Sequence, residues 1–213
     1  MRSGRAARSQ PGAPASRGKL ALVCGLLLVG CGGAAGLWHA HVQRATVAAH
    51  LPSLPEEASL NSVALAERLR AAATRAGGLL TATEGLGELA TLLHANGFPA
   101  AALVAYEGLQ QLEPTNPQWP HRRAHVLAGF GQLEEAVPLW RRASELAPDY
   151  APARLRLGDA LLKSNQLAEA DRAYREVLRR TPSNPYASLG VARVHVARAD
   201  WSAARDALEQ GRR

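Results

Sequence analysis

The chain has 213 residues and a formal net charge of +7, with only two cysteines. Arg2, Arg5, Arg8, Arg17 and Lys19 stand within the first 31 residues with no acid among them, leaving 20 basic against 18 acidic residues downstream. With that near balance and no Lys/Arg block interleaved with aromatics, nucleic-acid binding is excluded as an expectation, and Cys24 and Cys31 lie too far forward to staple or metallate the remainder.

Residues 1–19 form a basic leader rich in Arg, Ser, Gly, Pro and Ala, and Leu20–Trp38 follows as 19 residues without a charge. Two readings of this run stay open. As a transmembrane signal-anchor it is near the roughly 20 apolar residues a span needs, with the basic leader held in the cytoplasm. As a lipoprotein signal peptide it offers Leu28-Val29-Gly30-Cys31, which resembles a bacterial lipobox and makes Cys31 the candidate lipidation site. Either way the run is a targeting device and stays outside the fold argument. Both readings place everything after residue 38 on the periplasmic or extracytoplasmic side of a membrane, tied to it. The Ala/Arg/Gly-rich composition points to a bacterial source.

Residues 39–60 read as a linker, with Pro52 and Pro55 predicting an extended spacer. Residues 61–78 are predicted to form a lead-in helix with Val63, Leu65, Leu69 and Ala73 on its apolar face, ended by Gly77-Gly78. It would cap the array that follows. Thr81-Ala82-Thr83-Glu84 reads as a capping box opening the next helix.

From there the chain repeats itself every 34 residues, over units 83–116, 117–150, 151–184 and a partial 185–213. Position 8 of each unit is Ala90, Ala124, Gly158 or Ala192, and position 20 is Ala102, Ala136, Ala170 or Ala204. Position 24 is Tyr106, Trp140, Tyr174 or Leu208, and position 32 is Pro114, Pro148 or Pro182. Small residues at 8 and 20 let two antiparallel helices cross closely. The large residue at 24 fills the space toward the next hairpin, and proline at 32 ends the second helix. Asn96-Gly97, Gly129-Phe130-Gly131 and Ser164-Asn165 supply turns between paired helices. Pro138, about one turn inside a second helix, predicts a mild kink and no break. In the second unit position 4 is Pro120, with Trp119 beside it.

This pattern resembles the tetratricopeptide repeat. The resemblance implies an all-α solenoid of helical hairpins, about 3.5–4 repeats, behind the N-terminal membrane segment. It implies an aromatic at position 4, for which Trp119 substitutes in the second unit. It also implies that positions 2, 5, 6, 9, 12 and 13 of each first helix line a concave groove. Carried over, these give Glu84, Glu88, Thr91 and His94; Gln118, His121, Arg122 and His125; Arg156, Asp159, Leu162 and Lys163; and Tyr186, Leu189, Arg193 and Val196. The candidate partner groove is thus His94, His121, Arg122, His125, Arg156, Asp159, Lys163, Tyr186 and Arg193, basic in the middle and apolar toward the C-terminal end. It is a docking trough for a protein or peptide partner presenting an extended, acidic segment, or else a set of solvated helix faces. The Lys/Asn set that clamps a peptide's terminal carboxylate in some members is missing. His121 and His125 have metal-ligand spacing, with His94 on the neighbouring helix, but no carboxylate or Cys stands at a matching position, so no metal or cofactor is expected. No enzyme signature is present. The expected function is a membrane-tethered, extracytoplasmic interaction scaffold. The alternatives are a lipoprotein assembly factor of an envelope machine, for pili or the outer membrane, and the repeat arm of a longer enzyme.

Overall fold

The computed structural model describes residues 36, 38–56, 60 and 62–211, and every described element is helical. The leader, almost all of the 20–38 run and Cys31 lie outside these residues. Among those described, no helix is long and apolar enough to cross a membrane. The chain divides into two units, the first ending at Val42 and the second starting at Gln43. Residues 38–42 of the first are helical.

Nine helices follow α1 (38–49) among the described residues: α2 (Val63–Ala76), α3 (Ala82–Ala95), α4 (Pro99–Leu112), α5 (Gln118–Gly129), α6 (Leu133–Leu146), α7 (Ala151–Lys163), α8 (Leu167–Arg180), α9 (Pro185–Ala197) and α10 (Trp201–Gln210). Each helix from α2 onward packs on the next, and α7 also touches α9. The four pairs α3–α4, α5–α6, α7–α8 and α9–α10 follow the three 34-residue units and the partial fourth.

The repeat positions do the packing their residue types predict. Ala90, Ala124, Ala102, Ala136 and Ala170 are fully buried at the crossings. Tyr106, Trp140 and Tyr174 are buried, whereas Leu208, the fourth residue at position 24, is 44% exposed because no described hairpin follows to cover it. Tyr174 sits in a slot made by two glycines. A Cβ on Gly158 would lie 2.7 Å from its ring, and one on Gly190, in the next hairpin, 2.4 Å. The ring therefore replaces two side chains at once and joins the third hairpin to the fourth.

The turn inside each hairpin needs one residue in the left-handed region, and these recur at the same period: Gly97 (φ +85°), Gly131 (φ +79°), Asn165 (φ +56°) and Ala199 (φ +59°). Glycine and asparagine accept that conformation readily; alanine does not. Ala199→Gly is therefore expected to stabilise the chain by about 0.5–1 kcal/mol, the strain relieved exceeding the entropy glycine adds to the unfolded state. Chemical denaturation measures it, and a loss of stability would contradict the strained turn.

Two local expectations are corrected. The segment predicted as an extended spacer begins with helix α1, and among its described residues 51–56 and 60 are irregular. The prolines act only where they stand. Upstream of them Val47 is 2% exposed and joins the core of Leu69, Tyr106 and Leu109, and His50 closes on Gly108, where an added Cβ would lie 2.5 Å from the histidine Cβ. Thr81 does precede α3, but its hydroxyl makes no cap. It donates instead to the Arg75 carbonyl at 2.7 Å, one of the acceptors freed at the end of α2. Pro138 leaves α6 unbroken, as expected of a proline tolerated early in its helix. The Glu134 carbonyl it deprives of a donor belongs to an exposed residue, so water can take the donor's place.

Candidate functional site

In a stack of period 34, equal positions of successive units become neighbours. Position 6 runs Glu88, Arg122, Arg156, Gly190, and position 9 runs Thr91, His125, Asp159, Arg193. These two columns form the floor of one face, built from the first helices α3, α5, α7 and α9.

Three cavities open along that face. The first, about 760 Å³, is polar, with Glu84, Glu88 and Glu113 on its walls together with Arg68 and Arg122. The second, about 520 Å³, brings together His94, His121, Arg122, His125, Tyr150 and Arg156. The third, about 390 Å³, is lined by His125, Trp140, Arg156, Asp159, Lys163 and Arg193. Gln118 and Arg122 border both the first and second, and His125 and Arg156 both the second and third. The three are thus segments of one trough. Tyr186 lines none of them and is 71% exposed on α9, and Leu189 and Val196 are exposed on the same helix.

The charges of the trough are unequally compensated. Asp159 is a hub: it accepts from the Tyr174 hydroxyl at 2.8 Å and from Arg193 at 3.1 Å, with Arg156 at 3.7 Å. Burial, then the hydrogen bond and charge of Asp159, holds the Tyr174 phenol protonated far above its ordinary range. Arg193 is therefore committed to the hairpin seam. Arg122 has no carboxylate partner among the described residues, and its guanidinium stands 6.0 Å from the Tyr106 ring centroid. In the first cavity Glu88 is taken by Arg75 from α2.

The three histidines share the second cavity without converging on a point. The His94 and His125 rings are 5.7 Å apart, and His94 approaches the Tyr106 hydroxyl at 3.3 Å. His121 faces the other way, edge-on to Tyr150 with ring centroids 5.3 Å apart. Burial, then His125, Arg122 and Arg156, push His121 down to about 4, and burial with His125 and Arg122 also lowers His94. The Nδ1 atom of His121 is buried with no hydrogen-bond partner.

Sequence reasoning missed Tyr150, Glu113 and Trp140, which reach the trough from turns and a second helix. The substitute aromatic of the second unit is confirmed: Trp119 stacks on Tyr106 at 6.2 Å and donates to Glu113 at 2.7 Å.

The Tetratricopeptide repeat family profile matches residues 121–185 and again 155–213. DnaJ homolog subfamily C member 3 of Rattus norvegicus is 38% identical over 96 residues, 45% of this chain but only 19% of the relative's length. Among solved structures, the crystal structure of MamA superposes with a TM-score of 0.63 at 17% identity, covering 67% of this chain and 84% of that one. The first TPR of Spaghetti (RPAP3), bound to the HSP90 peptide SRMEEVD, superposes with a TM-score of 0.52 at 26% identity, covering 55% of this chain and 93% of that one.

Proposed function

We propose that this chain, a tetratricopeptide repeat protein, is an interaction scaffold that docks an extended acidic segment of a partner protein in the trough of its first helices. The observation that carries this reading is the middle of the trough: Arg122, Arg156 and three histidines line one cavity with no carboxylate among its walls. A ligand carboxylate entering there meets two guanidinium groups and no like charge from the walls. The peptide held by the 26%-identical structural neighbour, SRMEEVD, is itself acidic. The experiment is anisotropy of an extended glutamate-containing peptide against its glutamine counterpart, with the wild type and with a charge-reversed trough. Equal binding of the two peptides would sink the reading.

The proposal extends to location: the scaffold is held at a membrane by residues 20–38 or by lipid on Cys31, with the repeats outside the cytoplasm. The basic leader followed by an uncharged run supports it. A reporter that works only outside the cytoplasm, fused after Arg213, is expected to be active. Activity of a cytoplasm-only reporter in that place would contradict the topology.

A further inference from the structure

The second cavity of the trough contains a histidine that is hard to charge and has an atom to spare. His121 is half-buried on α5, its Nδ1 is sealed from solvent, and no group of the protein bonds to it. The charged and titratable groups facing it are Arg122 and His125 from α5 itself and Arg156 from α7, with the Tyr150 ring from the turn into α7. His94 of α3 borders the same space, and no Asp or Glu lines it. Every neighbour that carries charge is cationic or becomes so.

We infer that this cavity is a subsite for a side-chain carboxylate of the partner segment, and that His121 takes up a proton as the carboxylate enters, so the acidic segment is held more tightly at mildly acidic pH. The inference rests on the trough reading above and adds the coupling to it. In the empty cavity burial and the surrounding cations disfavour imidazolium, which places His121 at about 4. A carboxylate beside the ring opposes the effect of the cations, because it supplies an opposite charge that favours imidazolium. The folded, liganded protein then binds a proton that the free protein does not. Linkage fixes the sign: a group whose affinity for protons rises on binding makes binding stronger as pH falls, from the bound value toward the free one. If His121 returns only to an ordinary histidine value near 6.5, affinity should rise about tenfold between pH 7.5 and pH 5.5.

The probe is a C-terminally amidated peptide of alternating glutamate and alanine, fluorescently labelled, with its glutamine counterpart as control. Amidation removes the terminal carboxylate, so only side chains can fill the subsite. With the full chain, the glutamate peptide is expected to tighten about tenfold over that pH range, while the glutamine peptide does not change. The variant His121→Gln should lose at least half of the tightening. NMR titration of the His121 imidazole in the wild-type chain gives a readout independent of any variant's folding: its midpoint should move up when the peptide is present. An unmoved midpoint, or an unchanged pH slope in His121→Gln, overturns the coupling. If binding is nevertheless lost on charge reversal at Arg122 and Arg156, the trough reading stands and only the coupling fails. No binding at any pH overturns both.

Discussion

Gly190→Leu is expected to be the most destabilising single substitution in the repeats, costing about 3 kcal/mol or more. The Cβ alone would lie 2.4 Å from the Tyr174 ring. The ring has no room to retreat: it is 1% exposed, Gly158 closes its other side, and its hydroxyl is fixed on Asp159 at 2.8 Å. Relief must come from sliding α9 off α8, which opens the seam between the third and fourth hairpins. Chemical denaturation of the full chain measures the loss. The decisive control is coupling. Combined with Tyr174→Ala, the leucine should cost clearly less than the sum of the two changes, because the space it needs has been vacated. Additive effects would mean that Tyr174 does not fill the slot against Gly190.

Reversing the charge at Arg122 and Arg156 together should weaken binding of an acidic segment by about 30–100-fold. An exposed ion pair contributes up to about 1 kcal/mol, and reversal both removes the attraction and adds a repulsion of similar size. Two sites thus give about 2–3 kcal/mol, at 1.4 kcal/mol per tenfold. The helices should remain intact, since Arg122 has no carboxylate partner among the described residues and Arg156 meets Asp159 only at 3.7 Å on an exposed side chain. Arg193 is a worse choice for this test. Its bond to Asp159 belongs to the Tyr174 seam, so its reversal would report on stability as much as on binding. The wild-type interaction should also weaken with salt, since exposed charges are screened beyond about 8 Å at physiological ionic strength. Undiminished binding by the double variant would move the docking surface off the trough.

The repeat architecture was legible because its signals are periodic and steric. Small residues at positions 8 and 20 and a large one at 24 have few uses besides close helix crossings, and all but Leu208 lie buried where the period places them. Equal-position neighbours were legible too, had the columns been read downward. Asp159 and Arg193 are 34 residues apart, and their 3.1 Å hydrogen bond follows from that spacing alone. Gly190 was overlooked because it is a partner of Tyr174 only across the hairpin boundary. Helix α1 was not legible. Two prolines downstream made the whole stretch look extended, and Val47 is buried only as a member of a core assembled with later helices. The site was half legible. First-helix positions gave its cations and histidines, but Tyr150 and Glu113 come from turns, whose side-chain directions no helical period fixes. Burial of His121 was also invisible, because it depends on Tyr150 lying against it.

The central claim is that the partner's acidic segment lies in the trough of the first helices. Site-specific photo-crosslinking tests it most directly. A photoreactive side chain placed at Gln118 or Lys163, on the trough, or at Arg142 or Arg172, on second helices, is irradiated with the glutamate peptide present. Crosslinks from Gln118 and Lys163 with none from Arg142 or Arg172 are the predicted result. Crosslinks confined to the second helices would contradict it.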